Sequence, residues 1–208
     1  YKVDADQLYL VGTSEVPIAA MHSDEILGAG NLPLRYAGFS PCFRREAGTY
    51  GEKTKGLIRV HQFDKVEQFS FSHPDASWDE FGAIRANQEQ ILQDLELPYR
   101  VVVMCGGDLG AAAAKKVDNE AWLPGGDRYL ELTSATNATD YQARRLQVRF
   151  KEGGGSPRLV HTLNGTACAV GRTIVALLEN HQRGDGSVVI PKALRAYTGF
   201  EEIEPSDD

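Results

Sequence analysis

The stretch "CFRREAGTYGEKTKGLIRVHQF", residues 42–63, decides the architecture. It opens as a strand, passes through a polar segment bearing Gly48, Gly51 and Gly56, and returns as a strand. That pattern predicts a hairpin with a long tip. Arg44 and Arg59 stand near its two shoulders. The returning strand continues through "RVHQFDKVEQFSFS". Period-two alternation puts Val60, Gln62, Asp64 and Val66 on one side and His61, Phe63, Lys65 and Glu67 on the other. Neither side is purely apolar, so one face is expected to line a polar site.

Working outward, "NLPLRYAGFSPCFRRE" reads as the outgoing strand and "QLYLVG" as a short earlier one. "TSEVPIAAMHSDEIL" has helical spacing, with Ser14, Glu15 and Pro17 as start signals. In "HPDASWDEFGAIRANQEQILQDLELPY", Phe81, Ile84, Gln88, Ile91, Leu92 and Leu95 form the stripe of an amphipathic helix that stops before Pro98. "YRVVVMC" reads as a strand, and "GGDLGAAAAKK" as a turn and an Ala-rich helix. "RYLELTSATNATD" is another strand. "YQARRLQVRFK" and "RLVHTLNG" read as strands around the loop "EGGGSP". "TACAVGRTIVALLENHQ" reads as a helix with Val170, Ile174, Leu177 and Leu178 inward. No internal repeat or strong domain boundary is present. Strands in hairpins, with helices inserted early, midway and late, predict an α+β fold on an antiparallel sheet rather than a doubly wound parallel one.

The 208 residues, 42% hydrophobic and 25% charged, suit a single soluble globular domain. No run of about 18 apolar residues suggests a membrane span, and "YKVDADQLYLVG" lacks the regions of a signal peptide. Cys42, Cys105 and Cys168 are odd in number and widely spaced, which predicts reduced thiols in a cytoplasmic setting. The net charge of −7 argues against nucleic acid bound over the whole surface. Two segments remain locally basic, Lys53 to Arg59 and Arg144 to Lys151. They read either as solvated surface charge or as phosphate-holding patches.

Several chemistries are disfavoured by spacing. Gly106, Gly107 and Gly110 do not make the G-x-G-x-x-G of a dinucleotide fold, and no P-loop occurs. The cysteines form no C-x-x-C pair and the five histidines are scattered, so no zinc is expected. No G-x-S-x-G appears. What remain are carboxylates and arginines: Glu15 after Thr13, Glu46 after Arg44 and Arg45, Glu67, Glu131 three before Ser134, and Arg172. Each alone reads as a surface charge. Together they fit a site for a polyphosphate and an amine, because an arginine fork matches phosphate oxygens, a carboxylate with a hydroxyl suits Mg2+, and further carboxylates suit an ammonium.

At these residues the chain resembles a family. "FRREAGTYGEKTKGLIRVHQFDKVEQF" resembles motif 2 of class II aminoacyl-tRNA synthetases, and "LNGTACAVGRTIVALLENHQ" resembles motif 3. "GTSEVP", "GDLGAAAAKKVDNEAWLPGGDRYLELTSATNATDYQARR" and "HTLNGTACAVGR" narrow the resemblance to bacterial-type seryl-tRNA synthetases, from about Leu8 to Phe200. The resemblance implies a six-stranded antiparallel sheet flanked by helices. It implies ATP-dependent activation of L-serine, its transfer to tRNA(Ser), and serylation of selenocysteine tRNA. Arg44 would contact the α-phosphate, with Arg45 beside it, Glu46 the adenine, and Arg172 the γ-phosphate end, making Arg44 and Arg172 the catalytic pair. Val60, Glu131, Leu132, Thr133 and Ser134 would line the nucleotide, with Glu131 and Ser134 also on Mg2+. Thr13, Ser14, Glu15, Glu67 and Thr166 would bind serine. The hairpin tip, with Lys53 and Lys55, is expected to stay mobile until ATP or the tRNA acceptor end arrives, and Arg59 to be no more than a stem residue.

The family's motif 1, which builds much of its homodimer interface, and its N-terminal helical arm for tRNA are not in this stretch. The expectation is a catalytic domain over residues 1–208 that is a fragment of such an enzyme. Two other functions are compatible with part of the pattern: a ligase that loads an amino acid onto a carrier protein, and a non-catalytic synthetase paralogue. The first resembles zinc-using seryl enzymes, whose Cys/His ligands are missing here. The joint presence of Arg44, Glu46, Glu131, Ser134 and Arg172 disfavours the second.

Overall fold

A computed structural model describes residues 1–46 and 56–205. Of the tip expected to be mobile, Gly48 to Gly56, all but Gly56 lies outside the described residues, and Gly56 opens a 3-10 turn through Ile58. Six long strands make one sheet: β1 (Leu34–Phe43), β2 (Gln62–Ser72), β3 (Tyr99–Val103), β4 (Lys115–Leu123), β5 (Arg128–Asn137) and β6 (His161–Ala169). Their spatial order is β1-β2-β6-β5-β4-β3, and every neighbouring pair is antiparallel. The opening hairpin is therefore β1–β2, paired from Leu34↔Phe71 to Phe43↔Gln62. The helices are α1 (Glu15–Ala20), α2 (Ser77–Asp94), α3 (Tyr141–Leu146), α4 (Val170–His181) and α5 (Lys192–Thr198).

Helix α2 covers one face of the sheet. Its predicted stripe is what seats it: Phe81 and Ile84 pack with Val117, Ala135 and Leu163, while Leu92 and the following Leu95 pack with Ala121, Leu123, Leu132 and Ala176. Asp79 and Glu80 lie in its first turn, where the helix dipole favours acids. Glu80 is also held from the sheet, accepting from Arg35 Nε at 2.9 Å and from Ser70 Oγ at 3.1 Å. The Arg35 guanidinium keeps the Glu80 carboxyl below the usual carboxylate range.

The opposite face divides into two regions. At one end Phe69 and Phe71 of β2 pack with Ile18 and Ala19 of α1, Ala143 of α3, and Val148, Phe150 and Val160. At the other end β2 carries Phe63, Lys65 and Glu67 on the same face, and a cavity opens above them. The period-two reading of β2 thus places three site-facing side chains and two core aromatics in one row.

Several sequence expectations require correction. The Ala-rich helix after Gly107 is absent; Gly106–Asp108 is one 3-10 turn and Lys115 begins strand β4. Val117, Asn119, Ala121 and Leu123 are buried against α2 and the neighbouring strand, and this tertiary pairing overrides alanine's helical preference. "YQARRL" is helix α3 rather than strand, ended by Gln147 in the left-handed region at φ 56°. The first helix is only six residues long; Ile26–Gly28 leaves it to pair in parallel with Arg149–Lys151. Thr166–Ala169 ends β6 instead of opening α4. Helix α4 is also rolled relative to expectation: Thr173 and Ala176 face inward, while Ile174 and Leu178 are 41% and 42% exposed. Asn180 Nδ2 fixes this roll by donating to the Trp122 carbonyl at 2.8 Å.

Helix α1 sits close on β1. A Cβ at Gly38 would lie 2.7 Å from Ile18 Cδ1 and 2.8 Å from Ser14 Oγ. Gly38→Ala is therefore expected to cost about 1–3 kcal/mol by overpacking. Urea unfolding checks this, and an unchanged midpoint would mean that α1 rides more loosely on the sheet.

Candidate active site

The cavity has a volume of about 300 Å³ and sits on the sheet face itself, under the β1–β2 hairpin stem and the start of α4. One wall is built for a small cation and a hydroxyl. Glu67 (β2) and Thr166 (β6) are register partners, and Thr166 Oγ1 donates to Glu67 Oε2 at 3.2 Å. Glu15, the first residue of α1, reaches the same wall. Its Oε1 accepts from Gln142 Nε2 at 2.8 Å and from Asn164 Nδ2 at 3.0 Å. The Glu15 amide receives support from Thr13 Oγ1 at 3.3 Å.

Glu67 is 2% exposed, so its charge must be compensated. Lys65, two residues earlier on the same strand face, places Nζ 2.5 Å from Glu67 Oε2. Burial pushes the Glu67 carboxyl above its ordinary range, the Lys65 ammonium pulls it back, and the charge of Glu15 adds to the upward push. Lys65 was not among the residues expected in the site. Its position in the row Phe63, Lys65, Glu67 was the available signal.

The other wall suits anions and oxygen-bound metal. Arg44, just past β1, donates from Nε to the Gly12 carbonyl at 3.1 Å and lies 5.1 Å over the Phe63 ring. Arg172, in the first turn of α4, donates from Nη1 to the Glu131 carbonyl at 2.8 Å and lies 3.6 Å from the Glu131 carboxylate. A bulge at Leu132 shifts the β4–β5 register between Asn119↔Thr133 and Glu120↔Glu131. The extra residue interrupts the alternation, so Glu131 joins Ser134 and Thr136 on the cavity side. Across from Ser134 stands Asp118, 5% exposed, with Oδ1 lacking a hydrogen-bond partner and Oδ2 3.1 Å from Lys116 Nζ. Burial, then Glu131, raises the Asp118 pKa. Glu131 and Ser134 present hard oxygens to the cavity, the donor type that Mg2+ takes. Among the described residues no group of three His, Cys, Asp or Glu is placed as a ready metal cage.

Thr13, Glu15, Arg44, Glu46, Val60, Glu67, Glu131, Leu132, Ser134, Thr166 and Arg172 all line the cavity. Three other expected residues do not. Ser14 is buried and donates to the Gly38 carbonyl at 3.2 Å, tying α1 to β1. Thr133 points to the α2 side and accepts from Asn119 Nδ2 at 3.0 Å. Arg45 is exposed outside the lining. Arg59, given no role beyond the stem, pairs with Glu46 at 2.5 Å while Glu46 holds a left-handed backbone at φ 51°.

Removing the cation beside Glu67 should expose the cost of its burial. Lys65→Met is expected to lower stability at pH 7 by about 3 kcal/mol, the low end for breaking a buried pair. Glu67 has a raised folded-state pKa, so the stability it contributes is full below its unfolded pKa and lost as pH rises through the folded one. The deficit of Lys65→Met should therefore shrink as pH falls through that raised value. Urea unfolding across this range checks it; a deficit independent of pH would contradict the electrostatic account.

Comparison with known proteins agrees with this geometry. The family described as "tRNA synthetase class II core domain (G, H, P, S and T)" matches residues 1–181. The chain is 58% identical to a serine--tRNA ligase of Pyrococcus furiosus over 206 residues, covering 99% of this chain and 45% of that protein. A crystal structure of seryl-tRNA synthetase from Pyrococcus horikoshii complexed with ATP superposes with a TM-score of 0.96 at 57% identity, covering 100% of this chain and 46% of the other. A cytoplasmic serine-tRNA ligase from Naegleria fowleri in complex with AMP gives 0.90 at 43% identity, covering 96% and 48%. The chain thus spans under half the length of these relatives. With an antiparallel six-stranded sheet, a polar cavity on its face and a match across most of its length, the chain belongs to the class II tRNA synthetase core family.

Proposed function

We propose that this chain is the catalytic domain, residues 1–208, of a serine–tRNA ligase. It activates L-serine with ATP to seryl-adenylate and pyrophosphate, and the whole enzyme transfers serine to the 3′ end of tRNA(Ser). The observation that carries the assignment is the paired wall of Glu67, Thr166, Glu15 and Asn164 facing Arg44 and Arg172 across one cavity. Serine is small, and an apolar pocket separates neighbours by only about 1–3 kcal/mol per methylene. A site whose buried groups must be paired rejects alanine more strongly, because the missing hydroxyl leaves Glu67 and Thr166 short of a partner.

In the first step a serine carboxylate oxygen attacks the α-phosphorus in line. The bond to the β-phosphate oxygen breaks and pyrophosphate leaves. The attacking group is already ionised, so no strong general base is needed; positioning and charge neutralisation carry the rate. Arg44 is suited to the α-phosphate, since Gly12 and Phe63 fix its guanidinium. Arg172 is suited to the γ-phosphate end, anchored by the Glu131 carbonyl. Glu46, Val60 and the neighbouring stem residues border the adenine, and Arg59 holds the Glu46 carboxylate in place. Bound Mg2+ would neutralise phosphate charge, held by Glu131 and Ser134 with Asp118 behind them. Zinc has no part in this scheme. A homodimer in the cytoplasm, as expected for the full-length family member, completes the assignment.

Serine-dependent ATP–pyrophosphate exchange tests it. Serine is expected to support exchange and alanine and glycine to fail; equal exchange with alanine would overturn the pocket. Arg44→Ala is expected to lower exchange by about 100-fold or more in a folded protein. Near-normal exchange in that variant would remove Arg44 from its role. Glu67→Ala should chiefly raise the KM for serine.

A further inference from the structure

Each wall of the cavity takes residues from one of two neighbouring strands, β5 and β6, that part company. The β5–β6 ladder runs Leu163↔Asn137, Asn164↔Thr136, Gly165↔Ala135 and stops there. Both strands continue, β5 back to Arg128 and β6 on to Ala169, and β6 stays paired with β2 as far as Ala169↔Lys65. Bulges on both diverging segments, at Leu132 and Ala167, accompany the parting. The next pair in the ladder would have been Thr166 with Ser134, one residue from each wall.

A side chain from the far face of the sheet fills this point. Gln88 of α2 is 0% exposed, and its Nε2 donates to the carbonyl of Ser134 at 2.8 Å and to that of Thr166 at 2.8 Å. An amide nitrogen has two hydrogens, and both are used. The two acceptors also fix which end of the amide is nitrogen. Oε1 then faces Asn119 Nδ2 at 3.4 Å. Close approach requires the glycine between the walls: a Cβ on Gly165 would lie 2.9 Å from Nε2 and 2.5 Å from Ile84 Cγ2.

We propose that Gln88 is a positioning residue that sets the gap between the nucleotide wall and the serine wall. It touches neither substrate. It clamps the main chain at Ser134 and at Thr166, so the spacing of the side chains that hold metal and serine hydroxyl is fixed by one amide. This inference rests on the function proposed above. In-line attack depends on that spacing, and a misplacement of about 1 Å costs up to about 100-fold in rate. Substrate affinity depends on each wall separately and is less sensitive to it.

The test uses serine-dependent pyrophosphate exchange in the full-length protein, with folding checked by circular dichroism. Gln88→Met keeps the bulk and removes both donors. It is expected to lower kcat about tenfold or more while the KM values for ATP and serine each move less than about threefold. Asn119→Leu removes the contact to Oε1 and leaves both carbonyl bonds, and its kcat should stay within about twofold of the wild type. If Gln88→Met does not fold, Gln88→Ala, which admits water at the clamp, is read against the same expectation. A folded Gln88 variant with kcat unchanged would overturn the inference alone. An equal loss in Asn119→Leu would also overturn it, because general core packing would then be the cause. A wild-type protein without serine-dependent exchange would overturn the function and this inference together.

Discussion

The site depends on a carboxylate placed where a carboxylate is costly. Glu67 lies midway along β2, 2% exposed, with Lys65 as its compensating cation. Replacing such a pair with apolar side chains is often neutral or favourable for stability. Its presence in a cavity floor is therefore better accounted for by recognition than by folding. The ammonium of Lys65 opposes the upward push of burial on the Glu67 carboxyl, and the Thr166 hydroxyl donates to the same oxygen, so the wall presents a compensated carboxylate and a hydroxyl side by side.

Around that pair the sheet is shaped to make room. Antiparallel strands with one covered face leave the other free for function, and here α2 takes the covered face. Phe69 and Phe71 extend the Glu67 row into the apolar core, so the site wall and the core share one strand. The bulge at Leu132 turns Glu131 toward the cavity, and the parting of β5 from β6 opens the space between Ser134 and Thr166. A local device on each strand thus converts a regular ladder into a cleft.

Much of this was legible in the sequence, for identifiable reasons. The β1–β2 hairpin and helix α2 followed from strong periodicity, and the cavity-facing row of β2 followed from period two. The arginines and carboxylates were found because their chemistry matches phosphate and ammonium and because the motifs that carry them resemble a known family. Strand β4 was hidden, since Ala111 to Ala114 imitate a helix and the pairing that makes a strand of Lys115–Leu123 is non-local. Short α3 was hidden behind residues that suit either state. The inward Thr133 and Ser14 were missed as structural because flanking site residues do not reveal bulges or helix docking. Lys65 and Gln88 were each visible, one on a site-facing strand and one in a helix stripe, but what each holds depends on strands far apart in the chain.

The central proposal is that Glu67 and Thr166 read the hydroxyl and ammonium of serine while Lys65 offsets the cost of burying the Glu67 carboxyl. A crystal structure with L-serine and a non-hydrolysable ATP analogue tests it most directly. The account predicts the serine hydroxyl within hydrogen-bond distance of Glu67 and Thr166, with the ammonium between Glu67 and Glu15 and the carboxylate turned toward Arg44. Serine bound with its side chain away from Glu67, or Glu67 contacting Lys65 alone beside an occupied site, would contradict it.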